Sequence, residues 1–168
     1  MPRLFIATLV ATAAMLAVSI VYAQTQKPQA AAPQAAMSDE ELAKVGEPLV
    51  TNVCTKACHG IEQLEEFRRP RAGWTTVVAD MMTKGAEATP AQLPIIRKYL
   101  TRYYGVVAVN TAAADEIADV GGFSAKDAQA IVAYRTEHGK FADLDALKKV
   151  PGIDLKKIED QPEAFEFK

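Results

Sequence analysis

The sequence predicts an all-α protein, because apolar residues recur at helical spacing in successive segments after residue 38. Capping residues such as Ser and Asp stand before these segments, and glycines follow several of them. The 168 residues carry a formal net charge of −2 and are 49% hydrophobic, which suits one domain or two small ones. Nothing in the overall charge indicates a polyanionic partner.

The first 23 residues are predicted to be a secretory signal peptide. Arg3 supplies a positive start, the stretch from Leu4 to Val21 is largely apolar, and small residues precede an expected cleavage after Ala23. The alternative is an uncleaved membrane anchor, since the apolar run approaches the roughly 20 residues that span a bilayer. Either interpretation places the protein outside the cytoplasmic membrane, in the periplasm. Residues 24–37, rich in Ala, Gln and Pro, are expected to form a flexible linker.

The first folded unit is expected at residues 38–106. Ser38 opens a capping box that predicts the start of a helix, and Gly46 and Pro48 predict that this helix breaks and restarts. Residues 61–73 are expected to form a charged loop with one short turn.

Two further helices of this unit are predicted by apolar stripes. The first ends at Gly85, and the second is opened by Thr89 and Pro90 and ends at Gly105. The stripe residues are Trp74, Val77, Val78 and Met81 in the first helix, and Leu93, Ile96, Leu100 and Tyr103 in the second. Three helices in about 70 residues bury little apolar surface, so their core is marginal. A bound apolar cofactor would add buried apolar surface to it.

Both cysteines and one of the two histidines lie in the segment CTKACHG, as Cys54, Cys58 and His59. Two thiols followed directly by an imidazole form the covalent haem-attachment pattern, although three residues separate the cysteines here instead of the usual two. Residues four apart share a helix face, so both thiols could reach one edge of a porphyrin. A disulfide, a reduced thiol pair and a zinc site are the alternatives. Helical spacing disfavours the disulfide, and the lack of a third cysteine disfavours zinc.

Three stretches carry a family resemblance: GEPLVTNVCTKACHG, the segment from Trp74 through Met81 to Ala86, and TPAQLPIIRKYLTRYYG. Together they resemble a small class I cytochrome c domain, most closely the haem domains of quinohaemoprotein amine dehydrogenases. The resemblance implies one covalent haem c with thioether links from Cys54 and Cys58. It also implies His59 as the proximal iron ligand.

The sixth iron ligand is bounded by elimination, because few methionines and histidines follow the signal peptide. Met81 is the first choice and Met82 the second, since Met37 precedes the domain. Plain core packing would also explain Met81, which shares a stripe with Trp74, whereas Met82 is expected to face solvent or a neighbouring element. His138 would give a less favoured bis-histidine site.

Residues 107–168 contain an internal repeat. The segments VGGFS at 120–124 and VPGID at 150–154 recur thirty residues apart, each between helical segments. Gly139 is expected to end the second helix of this unit. The residues expected to cap its four helices in turn are Thr111, Ser124, Asp143 and Asp154.

The stretch from Val109, VNTAAADEIADVGGFSAKDAQAIVAYRTEHGKFADLDALKKVPGI, closely resembles the paired helix-hairpin-helix domain of ComEA-type competence proteins. In that family the hairpins present backbone N–H groups and a helix N-terminus to DNA phosphates. The residues that the resemblance implies as contacts to DNA or to a partner are Gly121, Gly122, Ser124, Lys126, Gly152, Asp154, Lys156 and Lys157.

Charge disfavours DNA as the partner of this unit. The second hairpin glycine is replaced by Ser124 in one copy and by Asp154 in the other, and Asp154 adds a repelling charge. Residues 107–168 hold eight Lys and Arg against twelve Asp and Glu, a net charge of −4. Because phosphate neutralisation dominates DNA affinity, a compact docking module is preferred over a DNA-binding one.

The sequence is therefore interpreted as an exported mono-haem electron carrier whose helix-hairpin-helix module docks a redox partner protein. The alternative is a haem-free exported helix-hairpin-helix protein with a degenerate cytochrome domain, which binds DNA or acts as a scaffold. No enzyme is expected, since the sequence lacks a recognisable nucleophile–base motif or phosphate loop.

Overall fold

Helices account for most of the residues that the computed structural model describes, namely 37–56 and 60–168, and this confirms the all-α class. The signal peptide and nearly all of the linker lie outside these ranges. In chain order the elements are α1 (Asp39–Val50), a π-helical turn (Thr51–Thr55), α2 (Glu62–Glu66), α3 (Arg71–Thr83), α4 (Gln92–Tyr104), β1 (Val107–Ala108), α5 (Ala114–Gly121), α6 (Ala125–His138), α7 (Leu144–Leu147), α8 (Leu155–Asp160), a 3₁₀ turn (Pro162–Ala164) and β2 (Phe165–Glu166). Within the described ranges, no helix combines the length and the hydropathy needed to cross a bilayer.

The residues from Ser38 to Lys168 form one compact unit. The domain boundary expected between residues 106 and 107 falls inside this unit. Two groups of buried residues nevertheless follow that division. One is the cluster of fourteen residues from Val107 to Phe165, and the other comprises Leu42, Val50, Leu64, Trp74, Val78, Ile96, Tyr99 and Leu100.

Helix α1 begins at the predicted capping box. The Ser38 hydroxyl accepts a hydrogen bond from the Glu41 N–H at 3.2 Å, and the Glu41 carboxylate accepts one from the Ser38 N–H at 3.0 Å. The break expected at Gly46 and Pro48 is wrong, because α1 continues through both to Val50. A Cβ on Gly46 would lie 2.6 Å from the Tyr99 ring, so this glycine lets α1 pack closely on α4. That packing compensates for two residues of poor helix propensity.

The segment 61–73 is more helical than expected. It contains α2, and α3 begins at Arg71, three residues before the predicted apolar stripe. The indole of Trp74 is buried and donates a hydrogen bond to the Tyr104 carbonyl at 2.9 Å. The predicted stop at Gly85 is confirmed, because this residue has φ 99° directly after the turn that ends α3. Helix α4 starts at Gln92 rather than at the predicted Thr89 and Pro90, which lie in the preceding turn.

A short parallel strand pair closes the buried cluster that extends from Val107 to Phe165. Val107 of β1 pairs with Phe165 of β2, a contact that no sequence pattern indicated. The side-chain amide of Asn110 supports this closure by donating hydrogen bonds to the carbonyls of Phe141 and Phe167 at 3.0 and 3.2 Å. The chain from Val107 onward thus folds back on its own beginning.

Candidate functional sites: two hairpins and an apolar cavity

The first hairpin joins α5 to α6 and has the backbone that its repeat predicted. Gly122 takes φ 67°, a left-handed conformation that favours glycine. Two residues later Ser124 caps α6, and its hydroxyl accepts a hydrogen bond from the Asp127 N–H at 3.1 Å. Gly121 is buried, and a Cβ there would lie 2.6 Å from the Phe123 ring. Ser124 and Lys126 are exposed at the start of α6.

The second hairpin joins α7 to α8 and repeats this geometry thirty residues later. Gly152 takes φ 76°, and Asp154 caps α8 by accepting a hydrogen bond from the Lys156 N–H at 3.0 Å. The Asp154 carboxylate thus stands in front of the backbone amides of the following helix. That is where a phosphate group would have to approach.

The two hairpins differ in what lies behind their positive-φ glycines. A Cβ on Gly122 would lie 2.4 Å from Nε of Arg102, whereas a Cβ on Gly152 would meet no atom within 4 Å. The first hairpin therefore rests on a guanidinium group, and the second does not. The predicted cap at Thr111 is also wrong, because α5 begins after Ala113 without a side-chain cap, and Thr111 lies in the preceding turn.

The lysines near the hairpins differ in side-chain exposure and in whether they are already paired with an acid. In the described part of the chain, Lys126, Lys148 and Lys149 make no ion pair within 4.0 Å. Lys156 lies 2.6 Å from Asp160 but keeps 75% of its side chain exposed. Lys157 is only 28% exposed and pairs with Asp39. Both hairpins therefore have lysines nearby without an ion pair, but only the first has no carboxylate cap.

A cluster of charges beside the first hairpin joins the two ends of the unit. The Asp39 carboxylate accepts hydrogen bonds from the guanidinium of Arg102 at 3.0 and 3.2 Å and from the ammonium of Lys157 at 2.7 Å. Burial opposes ionisation of Asp39, but the hydrogen bonds from Arg102 and Lys157 outweigh it, so the pKa of this carboxyl lies below its ordinary value. Sequence reasoning missed this cluster, since its members stand 63 and 118 residues apart.

Other ion pairs join residues 38–106, here called the first region, to residues 107–168, the second region. In the pair of Asp39 with Lys157 the acid belongs to the first region, and in the pairs that follow the cation does. Arg71 lies 2.9 Å from Asp115 and 2.8 Å from Asp119, and Arg68 lies 2.6 Å from Glu163. In these pairs the cation precedes residue 106 and the acid follows it.

An open apolar cavity lies in the first region. Its volume is about 270 Å³. It is lined by Val53, Cys54, Gln63, Leu64, Phe67, Arg69, Trp74, Val77, Val78, Asp80, Met81, Met82, Ala86, Leu93, Ile96 and Leu100. All four stripe residues of α3 and three of the four of α4 thus line this space, whereas Tyr103 does not.

Three sulfur-bearing side chains line this cavity. Cys54 comes from the π-helical turn, and Met81 and Met82 come from the end of α3. Met82 is half-buried and lines the cavity with Met81. Cys58 and His59 lie outside the described residues, so their predicted roles stay predictions.

His138 is not among the residues that line the cavity. It ends α6, where its ring lies 4.2 Å from the Tyr134 ring, and half of its side chain is exposed. Within residues 37–56 and 60–168, no group of three or more His, Cys, Asp or Glu side chains is placed to hold a metal ion.

Residues 103–163 match a family of known proteins, the helix-hairpin-helix motif. The matched range begins in the last turn of α4 and ends in the 3₁₀ turn after α8, so it includes both hairpins. The C-terminal part of the chain is therefore a helix-hairpin-helix domain, and the predicted ComEA-like character of this part is supported.

Two curated proteins resemble about a third of the chain. One is ComE operon protein 1 of Bacillus subtilis, 39% identical over 54 residues, or 32% of this chain and 26% of that protein. The other is an uncharacterized protein of Haemophilus influenzae, 44% identical over 52 residues, or 30% of this chain and 46% of that protein. The chain thus spans between a quarter and half of the length of these relatives. No solved structure matches the chain.

Proposed function

We propose that this chain is an exported helix-hairpin-helix protein that binds the nucleic-acid backbone, chiefly through its first hairpin. The repeated hairpin geometry supports this function, with a positive-φ glycine two residues before the cap of a helix in both copies. The match of residues 103–163 to the helix-hairpin-helix family and the resemblance to ComE operon protein 1 also favour it.

In this proposal the hairpin contacts phosphate groups and reads no base. The N-terminal amides of α6 and the Ser124 hydroxyl donate hydrogen bonds to phosphate oxygens, and Lys126 supplies a positive charge beside them. The second hairpin contributes less, because the Asp154 carboxylate repels phosphate. Binding is therefore expected to be weak, independent of sequence and strongly salt-dependent, in keeping with the net charge of −4 over residues 107–168.

Fluorescence anisotropy with a labelled 20-base-pair duplex, between 50 and 200 mM salt, tests this function. Lys126→Gln is expected to weaken binding severalfold and to lower the salt slope by about one. Lys140→Gln is the matched control. It removes an exposed lysine just beyond the C-terminal end of α6, about 20 Å along the helix from Lys126. Equal losses in both variants, or no binding by the wild type at 50 mM salt, would contradict the proposal.

The cavity in the first region favours a second function, a covalently bound haem c that serves one-electron transfer to a redox partner protein. An apolar wall with one thiol and two thioethers supplies part of the donor set that such a group requires, and this supports the proposal. Cys54 and Cys58 would carry the thioether links, His59 would be the proximal ligand, and Met81 or Met82 would supply the sixth ligand. The helix-hairpin-helix domain would then dock the partner.

A pyridine haemochrome spectrum tests this second function, on protein exported from a host that attaches haem. A c-type absorption band that survives acid–acetone extraction and disappears in Cys58→Ala is the expected result. If the wild type shows no chromophore under these conditions, the electron-transfer function is excluded and the nucleic-acid function remains.

A further inference from the structure

We propose that Arg102 and Lys157 form a phosphate-binding site beside the first hairpin, and that Asp39 occupies this site as an internal substitute for a nucleic-acid phosphate. The inference rests on the proposed nucleic-acid function and adds a site and a competitor to it. The start of α1 would then restrain the binding of nucleic acid by the domain that follows.

The first argument is the geometry of the anion. Both oxygens of the Asp39 carboxylate are held by Arg102, at 3.2 Å from Nε and 3.0 Å from Nη2, and Lys157 adds a third contact at 2.7 Å. Arginine recognises carboxylate and phosphate oxygens with this same planar fork. The site that holds Asp39 is therefore suited to one phosphate group.

The second argument is that Arg102 is held in place from the hairpin side. Its side chain is only 9% exposed and packs directly behind Gly122. Its Nη1 donates to the Val120 carbonyl at 3.4 Å and to the side-chain oxygen of Gln161. Since these partners do not involve α1, the guanidinium keeps its position when Asp39 is replaced by another anion.

The third argument is location. Arg102 lies against the first hairpin, and Lys157 stands in the helix that follows the second. An anion bound by both residues thus lies beside the first hairpin and against the helix that follows the second. A phosphodiester that spans the hairpins would meet the site that Asp39 occupies.

The fourth argument is the polarity of the contact. Arg68 and Arg71 reach from the first region to acids of the second, which explains inter-region cohesion without any ligand. In the pair of Asp39 with Lys157 the first region instead supplies the acid, whereas Arg102, which holds the same carboxylate, belongs to the first region itself. The Asp39 side chain is 36% exposed and lies in the first turn of α1, so a competing anion can approach it from solvent.

Displacement of Asp39 carries a cost within α1. The Tyr103 hydroxyl donates a hydrogen bond to the Asp39 carbonyl at 2.9 Å, which fixes the first turn beside the site. A phosphate must break this contact or shift only the carboxylate. The wild type is therefore expected to bind nucleic acid less tightly than the hairpins alone would permit.

The test compares duplex binding by the purified protein and three variants at several salt concentrations. Asp39→Asn keeps the size of the side chain and removes its charge, and it is expected to raise duplex affinity about tenfold and the salt slope by about one. Asp119→Asn is the matched control, since it makes the same change in net charge and weakens a different inter-region ion pair. Its affinity is expected to stay within about twofold of the wild type.

The variant Lys157→Gln shows whether Lys157 is neutralised by Asp39 in the wild type or contacts the duplex directly. In the wild type it is expected to change affinity less than twofold, because Asp39 already neutralises Lys157. Combined with Asp39→Asn, it is expected to remove most of the gain. Far-UV circular dichroism and thermal unfolding establish that each variant is folded.

Equal affinity of Asp39→Asn and wild type would overturn the inference and leave the proposed function intact. An equal gain in Asp119→Asn would also overturn it, as would a loss in Lys157→Gln as large as that in Lys126→Gln, because Lys157 would then be a direct contact. The comparison of Lys157→Gln with Lys126→Gln tests the inference even if Asp39→Asn fails to fold. Absence of duplex binding in all proteins would overturn both the inference and the proposed function.

Discussion

The two hairpins share a backbone and differ in their surroundings. Both place a positive-φ glycine two residues before a capping side chain. The first rests on the buried guanidinium of Arg102 and ends in a neutral hydroxyl, whereas the second is open behind its glycine and ends in a carboxylate. A repeated sequence motif thus fixes the turn geometry. The surroundings of each turn depend on Arg102, which stands outside the repeat, and on the last residue of each copy, which differs between Ser124 and Asp154.

The largest difference between the hairpins is expected from the same substitution at both glycines. Gly122→Ala is expected to lower the free energy of unfolding by about 3 kcal/mol, because strain at φ 67° adds to a clash with Arg102. Gly152→Ala is expected to cost about 1 kcal/mol, since only backbone strain at φ 76° applies. Urea denaturation monitored by circular dichroism measures both, and equal losses would show that Arg102 moves aside without cost.

A smaller effect concerns the ion cluster behind the first hairpin and its dependence on pH. The pKa of Asp39 is lowered in the folded protein, so its contribution to stability is present above about pH 4 and is lost as the pH falls through the folded value. Because Asp39 is partly exposed, Asp39→Asn is expected to cost about 1 kcal/mol at pH 7. This difference from the wild type should shrink as the pH falls below about 4.

Urea midpoints of the wild type and Asp39→Asn at pH 7, 4 and 3 measure this dependence. Glu40→Gln is the control, because Glu40 is an exposed acid in the same turn of α1. Its effect is expected to stay within about 0.5 kcal/mol. A constant difference between Asp39→Asn and the wild type at all three pH values would mean that the Asp39 charge does not stabilise the fold.

The smallest effect on stability is expected from exchanging the two capping residues. Asp154→Ser retains an N-cap and should change the free energy of unfolding by less than about 0.5 kcal/mol. It removes the repelling carboxylate, so duplex affinity should rise about threefold. The reverse change, Ser124→Asp, should lower duplex affinity by more than Asp154→Ser raises it, because the first hairpin carries most of the binding. Anisotropy titrations at one salt concentration measure both, and unchanged affinities would remove the distinction between the hairpins.

The sequence predicted most features that depend on neighbours three or four residues away, although not the cap of α5 or the start of α4. The caps at Ser38, Ser124, Asp143 and Asp154 are confirmed, and each accepts a backbone hydrogen bond within three residues. Gly139 ends α6 with φ 90°, also as expected. Local hydrogen bonds of this kind are encoded in the order of residues.

Features that depend on distant contacts were missed or wrong. The expected break at Gly46 ignored its packing on Tyr99, which stands 53 residues later. The cavity could be anticipated only as apolar stripes on α3 and α4, whereas the inward position of Met82 could not. Nothing in the sequence around Arg102 indicated that it would be buried beside a hairpin glycine.

The pairing of β1 with β2 has a consequence for the order in which this protein can fold. Val107 is the first residue in sequence of the buried cluster that extends to Phe165, and its partner Phe165 is synthesised 58 residues later. Both side chains are nearly inaccessible to solvent in the finished fold, so neither has its final surroundings until the other has emerged. The chain loses conformational entropy when such a long loop closes, before burial of the two side chains stabilises the fold. Closure of the loop is therefore a late and slow step. On the ribosome, the residues of both hairpins have therefore been synthesised before this cluster can close.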